Sequence, residues 1–275
     1  MTGRIIKQIS NDYTVRTEYK DYICKPRGKF RNMGITPLVG DIVEFDENNY
    51  ILEIHKRKNE LDRPRIANVD QAVIVTSVKI PDFSSNLLDK LLDIIEYNNI
   101  KPIICFTKLD LLSKGELEYI ERIMKYYRKI GYQVYKNTDL KINNIFRDKI
   151  TVFAGQSGAG KSSLLNLLNP KLKLKIGDVS IALGRGRHTT RHTELMEING
   201  GLVADTPGFS SIDFKNMTQI DIRDNFVEFN MYKHLCEYSD CMHKDEKDCG
   251  IKKQVEKGNI LLSRYQNYLK FIEKR

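Results

Sequence analysis

The sequence predicts a multi-domain α+β fold, with an OB-type β-barrel in residues 1–63, an α/β domain in 64–211 and a helical zinc-binding region in 212–275. Three observations carry this prediction. In the first region, short runs rich in β-branched and aromatic residues follow one another too closely for crossover helices. In the second, apolar runs alternate with helical stretches, as in a mostly parallel sheet. In the third, helical periodicity is interrupted by three cysteines within residues 236–249.

The composition and charge of the chain indicate its kind of partner and its cellular compartment. Lys and Arg number 45 against 36 Asp and Glu, and the resulting net charge of +9 suits a polyanionic partner. No apolar stretch approaches the length of a membrane span, and the start of the chain lacks the apolar core of a signal peptide. We therefore expect a cytoplasmic protein without a membrane partner, in which clustered thiols indicate a metal site sooner than disulfides.

The N-terminal region predicts a small antiparallel barrel. Its candidate strands are 13–16, 22–24, 41–45 and 50–54. One connecting stretch carries the basic residues Lys25, Arg27, Lys29 and Arg31. Because OB-type barrels often bind oligonucleotides, this region predicts RNA binding. The alternative is a small β domain with a solvated charged loop, since the functional argument rests on fold analogy.

The second region predicts an α/β sheet whose ligand binds at the carboxyl ends of its strands. The candidate strands are the apolar runs 72–75, 103–106, 151–154 and 202–204. The candidate helices, with apolar residues every three or four positions, include 87–97 and 116–130.

Residues 155–162 match the phosphate-binding P-loop motif GxxxxGK[ST] and lie between a candidate strand and a candidate helix, 163–168. Glycines let successive N–H groups point at phosphate oxygens, and the helix N-terminus adds its positive dipole end. Lys161 is expected to neutralise the β- and γ-phosphates, and Ser162 to ligate Mg²⁺. The predicted nucleotide-binding residues here are Gly155, Gln156, Ser157, Gly158, Ala159, Gly160, Lys161, Ser162 and Ser163.

A second motif indicates which base is bound. Thr107, Lys108, Leu109 and Asp110 follow the candidate strand 103–106 and match the [NT]KxD motif. The Asp110 carboxylate can accept hydrogen bonds from guanine N1–H and N2–H₂, whereas adenine has no matching donors. Lys108 can lay its apolar stem along the base. These residues therefore predict binding of GTP and GDP, and they argue against an ATP-using kinase or ATPase.

Two further segments match the switches of a GTPase. Asp205 and Gly208 form a DxxG motif after the strand 202–204, where Asp205 can hold Mg²⁺ through water and the Gly208 N–H can contact the γ-phosphate. The Gly-rich basic loop 184–192 is the candidate first switch, with Thr189 or Thr190 completing the metal shell.

His188 is the candidate catalytic residue. Many GTPases place a water-orienting Gln directly after the DxxG glycine, but here that residue is Phe209, whose apolar ring cannot orient water. An imidazole in the first switch can do so near neutral pH. The alternative is that His188 only packs against Phe209 or contacts RNA phosphate. The neighbours expected to contact phosphate are Arg185, Arg187 and Arg191.

The Cys/His cluster predicts a zinc site. Cys236, Cys241, His243 and Cys249 supply three thiolates and an imidazole, which suit tetrahedral Zn²⁺ with no open position. Free thiols beside a surface histidine are the alternative. His234 lies outside the pattern, and Cys24 and Cys105 lie in apolar runs where we expect them to be buried.

The motifs stand in an unusual order. The guanine motif normally follows DxxG, but here it precedes the P-loop, which indicates a circularly permuted GTPase domain. The barrel-like start, GQSGAGKSS, GRGRHTT, DTPGF and the Cys/His spacing together resemble the RsgA (YjeQ/YloQ) family of small-ribosomal-subunit-dependent GTPases over essentially the whole chain. The sequence departs from that family at 135–139, where a Ser-Ala type base-contacting loop is usual.

The resemblance implies a function in late maturation of the small ribosomal subunit. It implies GTP hydrolysis stimulated by the subunit, rRNA binding, one structural zinc, Mg²⁺ with GTP, and a catalytic role for His188. We expect a monomer off the ribosome. An RNA-binding scaffold that senses nucleotide with little hydrolysis remains the alternative.

Overall fold

The computed structural model describes residues 1–62, 64–172, 193–204, 213–214 and 216–273. The chain divides into two compact units, of which the first comprises 1–73 with 139–210 and the second 74–138 with 211–275. The domain boundaries expected after residues 63 and 211 stay predictions, because both positions lie outside the described residues.

The first unit begins with a closed barrel, as predicted. Its strands are β1 (Thr2–Ile9), β2 (Asp12–Arg16), β3 (Asp21–Pro26), β4 (Ile42–Phe45) and β5 (Tyr50–Ile54). They follow one another around the barrel in the order β1-β2-β3-β5-β4, with only β3 and β5 parallel. A short helix, α1 (Gly28–Asn32), connects β3 to β4. Lys25 lies in β3, so assigning it to the connecting stretch was wrong.

A hairpin of β6 (Glu60–Asp62) and β7 (Arg65–Ala67) follows the barrel. Arg57, just before it, donates to both carboxylate oxygens of the fully buried Asp41, at 2.8 and 2.7 Å. The second Asp41 oxygen also accepts from the Leu38 N–H at 2.7 Å. This bidentate pair fixes the loop that leads into β4 against the segment that leaves the barrel.

The second unit opens as predicted with helices alternating with parallel strands. Strand β8 (Gln71–Ser77) passes into it from the first unit, followed by α2 (Ser85–Tyr97), β9 (Lys101–Thr107), α3 (Lys114–Lys129) and β10 (Gln133–Lys136). Strands β9 and β10 are parallel. Helix α2 begins where the Ser84 side chain accepts from the Leu87 N–H, and α3 begins with a capping box formed by Ser113 and Glu116.

The rest of the α/β part lies in the first unit. It consists of β11 (Ile150–Ala154), α4 (Lys161–Leu168), β12 (Leu195–Ile198) and β13 (Gly201–Ala204). Strand β11 is buried throughout and runs parallel to β13, whereas β12 pairs antiparallel with β13. The carboxyl end of β11 therefore leads directly into the P-loop residues.

The described residues of the second unit after 211 form the helices α5 (Gln219–Asn225), α6 (Val227–Tyr232), α7 (Gly250–Glu256) and α8 (Leu262–Glu273). Helices α2, α5 and α8 pack against one another, and the rings of Phe226 and Phe229 pack against Tyr268 and Phe271 of α8. None of the helices that the structure describes is long and apolar enough to cross a bilayer.

Candidate nucleotide-binding and zinc sites

The P-loop curls between β11 and α4 because three of its glycines take backbone angles that side chains disfavour. The φ angles of Gly155, Gly158 and Gly160 are 124°, 75° and 95°. Helix α4 then starts at Lys161, so the first free N–H groups of the helix lie next to the loop. This arrangement of backbone donors suits a phosphate group.

The Lys161 ammonium lies across this loop. It donates to the carbonyl oxygens of Gly155 and Gln156, both at 2.7 Å, and its side chain is largely buried. Burial lowers the pKa of Lys161, and in the described part of the chain no carboxylate offsets this desolvation. A phosphate would supply that missing negative charge. Ser162, buried in the first turn of α4, is the described residue suited to ligate Mg²⁺.

Several predicted residues lie outside the described part of the chain. They are His188, Thr189, Thr190, Asp205 and Gly208, together with the basic neighbours Arg185, Arg187 and Arg191. The elements that flank them are described: β13 ends at Ala204, immediately before Asp205, and Thr193 and Glu194 lead into β12. Their predicted roles therefore stay predictions.

The guanine motif lies in the second unit, at the carboxyl end of β9. Thr107 is buried and is hydrogen-bonded to residues at the end of β8. Its hydroxyl donates to the Thr76 carbonyl oxygen at 3.4 Å, and its carbonyl oxygen accepts from the Val78 N–H at 3.2 Å. Lys108 adopts a left-handed conformation, with φ of 62°, and its ammonium donates to the Ile80 carbonyl oxygen. Asp110, in the turn that follows, is exposed. The backbone of the motif is thus anchored, while the carboxylate is available to a base.

The segment after β10 lies at the same end of β9. Lys136 is paired with Phe106 across the two parallel strands, and the Asn137 N–H donates to the Phe106 carbonyl oxygen at 2.9 Å. Asn137 and Thr138 therefore lie next to the guanine motif. They offer an amide and a hydroxyl at the position where the family that the sequence resembles usually has a Ser-Ala loop. A base contact from these residues stays a prediction.

The four predicted zinc ligands come together in the second unit. Their ligand atoms all lie within 4.8 Å of one another. The His243 Nδ1 is 3.6 Å from the Cys236 sulfur and 3.4 Å from the Cys249 sulfur. A tetrahedron with ordinary Zn–S and Zn–N bonds has S···N edges of about 3.6 Å. The distances from His243 to these two sulfurs therefore suit zinc ligation.

The electrostatics of the cluster favour a divalent cation. Burial lowers the pKa of His243 to about 4, so the imidazole is neutral, as a metal ligand must be. Burial and the neighbouring thiols raise the pKa of Cys241 to about 12. Three thiolates so close together would repel one another, and Zn²⁺ would offset that repulsion. His234 is exposed and outside the cluster, and Cys24 and Cys105 are buried, as predicted.

The sequence did not indicate the side chains that support the zinc cluster. Tyr265 and Tyr268 of α8 donate to the carbonyl oxygens of His243 and Met242, at 2.7 and 2.5 Å. The ring of Phe229 packs edge-on against His243, at 5.3 Å between centroids. Periodicity does not reveal the tyrosine contacts, because their partners lie 22 and 26 residues away in the sequence.

Comparison with protein families gives two matches. Residues 54–215 match the RsgA GTPase model, and residues 2–50 match the RsgA N-terminal domain model. A relative from Oceanobacillus iheyensis, the small ribosomal subunit biogenesis GTPase RsgA 2, is 51% identical, with 98% of this chain and 96% of the relative covered. The small ribosomal subunit biogenesis GTPase RsgA of Enterococcus faecalis is 46% identical, with 99% and 94% covered.

Solved structures give the same result. YloQ, described as a circularly permuted GTPase, superposes with a TM-score of 0.85 at 42% identity, covering 99% of this chain and 94% of YloQ. YjeQ from Thermotoga maritima superposes with a TM-score of 0.85 at 34% identity, covering 99% of this chain and 97% of YjeQ. These likenesses confirm the predicted fold class.

Proposed function

The chain belongs to the RsgA family of GTPases, and on that premise we propose that it hydrolyses GTP during late maturation of the small ribosomal subunit, while bound to the subunit and stimulated by it. One observation carries the proposal. The RsgA GTPase model matches residues 54–215, a range that contains both the guanine motif and the P-loop in permuted order. Relatives that align over 98% of the chain are named for small-subunit biogenesis.

The described residues fit the binding steps of this reaction. P-loop N–H groups and the Lys161 ammonium hold the phosphates, and Asp110 accepts from guanine. Mg²⁺, when bound with GTP, neutralises charge that develops on the phosphate oxygens, and Ser162 is positioned at the helix end to ligate it. Transition-state stabilisation and water orientation fall to the residues of 184–192, among them His188.

The barrel surface supports the proposed rRNA contact. On β3, Ile23 is 66% exposed, and the neighbouring Lys25 is paired with Tyr50 of β5, which is 44% exposed. The Lys20 ammonium lies 4.8 Å from the centre of the Tyr22 ring. The exposed Tyr50 ring beside Lys25, with Lys20 at the half-buried Tyr22 ring, suits a ribose-phosphate backbone with unstacked bases. We place the reaction in the cytoplasm and expect a monomer off the ribosome, which sedimentation of the free protein would test.

Turnover of GTP with and without purified small subunits tests the proposal. We expect slow release of phosphate from the free protein and a large increase on adding subunits. ATP should not compete with labelled GTP for binding. A rate that subunits leave unchanged would contradict the proposal and favour a scaffold that only senses nucleotide.

Asp110→Asn is expected to weaken GTP binding by about 2–4 kcal/mol, because it replaces an acceptor of two guanine donors with an amide. Xanthosine triphosphate, which carries a carbonyl oxygen at C2, should bind the variant better than GTP does. Calorimetric titration with both nucleotides measures this. Glu118→Gln, which removes an exposed carboxylate on α3, is the control. Parental GTP affinity in Asp110→Asn would contradict the assignment of the base-reading residue.

His188→Ala is expected to retain GTP binding and subunit docking but to lose about 10²-fold or more of the subunit-stimulated turnover. The reason is that Phe209 cannot orient water where a Gln often does. Stimulated turnover and co-sedimentation with subunits are measured in parallel, with His192→Ala as a control from the same loop. If the variant docks and turns over at nearly the parental rate, His188 has no part in the mechanism.

A further inference from the structure

Within the first unit, a small set of polar contacts, here called the barrel seam, joins the barrel to Thr193 and Glu194, the two residues before β12. Lys7 of β1 and Glu194 form an antiparallel β-bridge, and their side chains form a salt bridge of 2.9 Å. The Gln8 N–H donates to the Thr193 carbonyl oxygen at 3.3 Å. The seam therefore combines backbone pairing with complementary charge.

The seam contacts one particular end of the β12–β13 hairpin. Leu195 is paired with Ala204 at that end, and Ile198 with Gly201 at the other. Thr193 directly follows the candidate first switch, 184–192, and Ala204 directly precedes Asp205 of the DxxG motif. The barrel therefore contacts the end of the hairpin that adjoins both predicted switches in the sequence.

The other end of the hairpin is fixed. A Cβ at Gly201 would lie 1.8 Å from the Phe146 carbonyl oxygen, so the backbone approaches as closely as only glycine permits. Ile198, which is paired with Gly201 at this end, is buried, and Leu202 is paired with Ile150 of β11. Because the hairpin is anchored at its turn, a displacement of the barrel seam would move mainly the opposite end, where Leu195 is paired with Ala204.

We propose that the barrel seam couples docking of the barrel on RNA to GTP hydrolysis, with Lys7 and Glu194 as positioning residues. This rests on the function proposed above. RNA bound at β3 and β5 restrains the closed barrel, to which β1 belongs, and the seam carries that constraint to the residues that flank the two switches. The half-exposed salt bridge by itself contributes modestly to stability. The backbone bridge between Lys7 and Glu194 therefore maintains the coupling, and the two charges adjust its strength.

Charge reversal tests the seam. Lys7→Glu and Glu194→Lys each place like charges opposite each other on paired strands, which is destabilising. At saturating subunits, each is expected to lower stimulated turnover about fivefold, with basal turnover and subunit affinity close to the parent for Glu194→Lys. The double reversal is expected to return stimulated turnover to within about twofold of the parent, because it restores the salt bridge.

The controls separate coupling from charge and from folding. Lys58→Glu reverses a lysine of another salt bridge in this unit, 3.1 Å from Asp70, and should leave stimulation per bound subunit unchanged. Full stimulation of both single variants, or no recovery in the double reversal, would overturn the seam alone. A parent protein that subunits do not stimulate would overturn the proposed function, and the seam proposal with it.

Discussion

Cys241→Ser is expected to release the bound zinc and to unfold much of the chain from about residue 215 onward. The protein as isolated should carry about one Zn²⁺ per chain. The four ligands lie in the stretch 236–249, which has no regular helix or strand between Leu235 and Gly250. Such a stretch depends on the metal for its structure, and structural zinc in small domains contributes about 10–16 kcal/mol of apparent binding free energy.

The loss should spread beyond the cluster because α8 is attached to it. The hydroxyls of Tyr265 and Tyr268 are bonded to carbonyl oxygens of the zinc-binding stretch, and the ring of Tyr268 also packs on Phe226. Once the stretch unfolds, these partners lose their acceptors. Subunit docking should suffer more than phosphate binding, because the P-loop belongs to the other compact unit.

Metal analysis and hydrogen exchange measure the two effects. Zinc content is determined on protein purified without chelator, and exchange is followed on the amides of α7 and α8. His234→Ala is the matched control, because His234 is exposed and lies outside the cluster. Purified parent protein without zinc, or a Cys241→Ser variant that keeps its zinc, would contradict this prediction.

The nucleotide motifs and the zinc ligands could be predicted because each is a short run of residues whose spacing carries its chemistry. Residues 155–162 need only a strand before and a helix after them, and both were predicted. The first strand was missed for a local reason. Ile5 and Ile6 are both buried beside a bulge between Ile5 and Lys7, which breaks the alternation that marks a strand.

Long-range pairing could not be predicted. Asp89 and Arg264 lie 175 residues apart in the chain, and on amphipathic helices each would be taken for a solvated charge. The division into two compact units was hidden for the same reason. It depends on contacts between residues 1–73 and 139–210, and between 74–138 and 211–275, which no local pattern records.

Arg264→Met is expected to destabilise the second unit by about 3–5 kcal/mol, because it leaves two buried carboxylates without their cation. Arg264 is 1% exposed and donates to Asp89 and Glu228, each of which has no exposed surface. Its contacts with Asp89 Oδ1 and Glu228 Oε2 are both 2.8 Å, and a further contact joins Nε to Glu228 Oε1. Methionine fills similar space but carries no charge.

The remaining partners of Asp89 cannot replace the guanidinium. The carboxylate accepts from the Tyr127 hydroxyl at 2.5 Å and from the Asn267 amide at 2.6 Å, yet burial still raises the pKa of Asp89 above its usual value. Without Arg264, Asp89 would therefore take up a proton or draw in water. Either change costs free energy, and either weakens the packing of α8 against α2.

Denaturant unfolding followed by tyrosine fluorescence measures the loss, since the chain has no Trp and Tyr127 lies 5.5 Å from the guanidinium carbon. Lys270→Met removes a positive charge from the exposed face of the same helix and should change stability by less than about 0.5 kcal/mol. Adding Asp89→Asn and Glu228→Gln to Arg264→Met should recover part of the loss, because neither of the carboxylates that are bonded to Arg264 then remains. A stable Arg264→Met variant, or a triple variant less stable than it, would show that packing rather than charge compensation holds α8 in place.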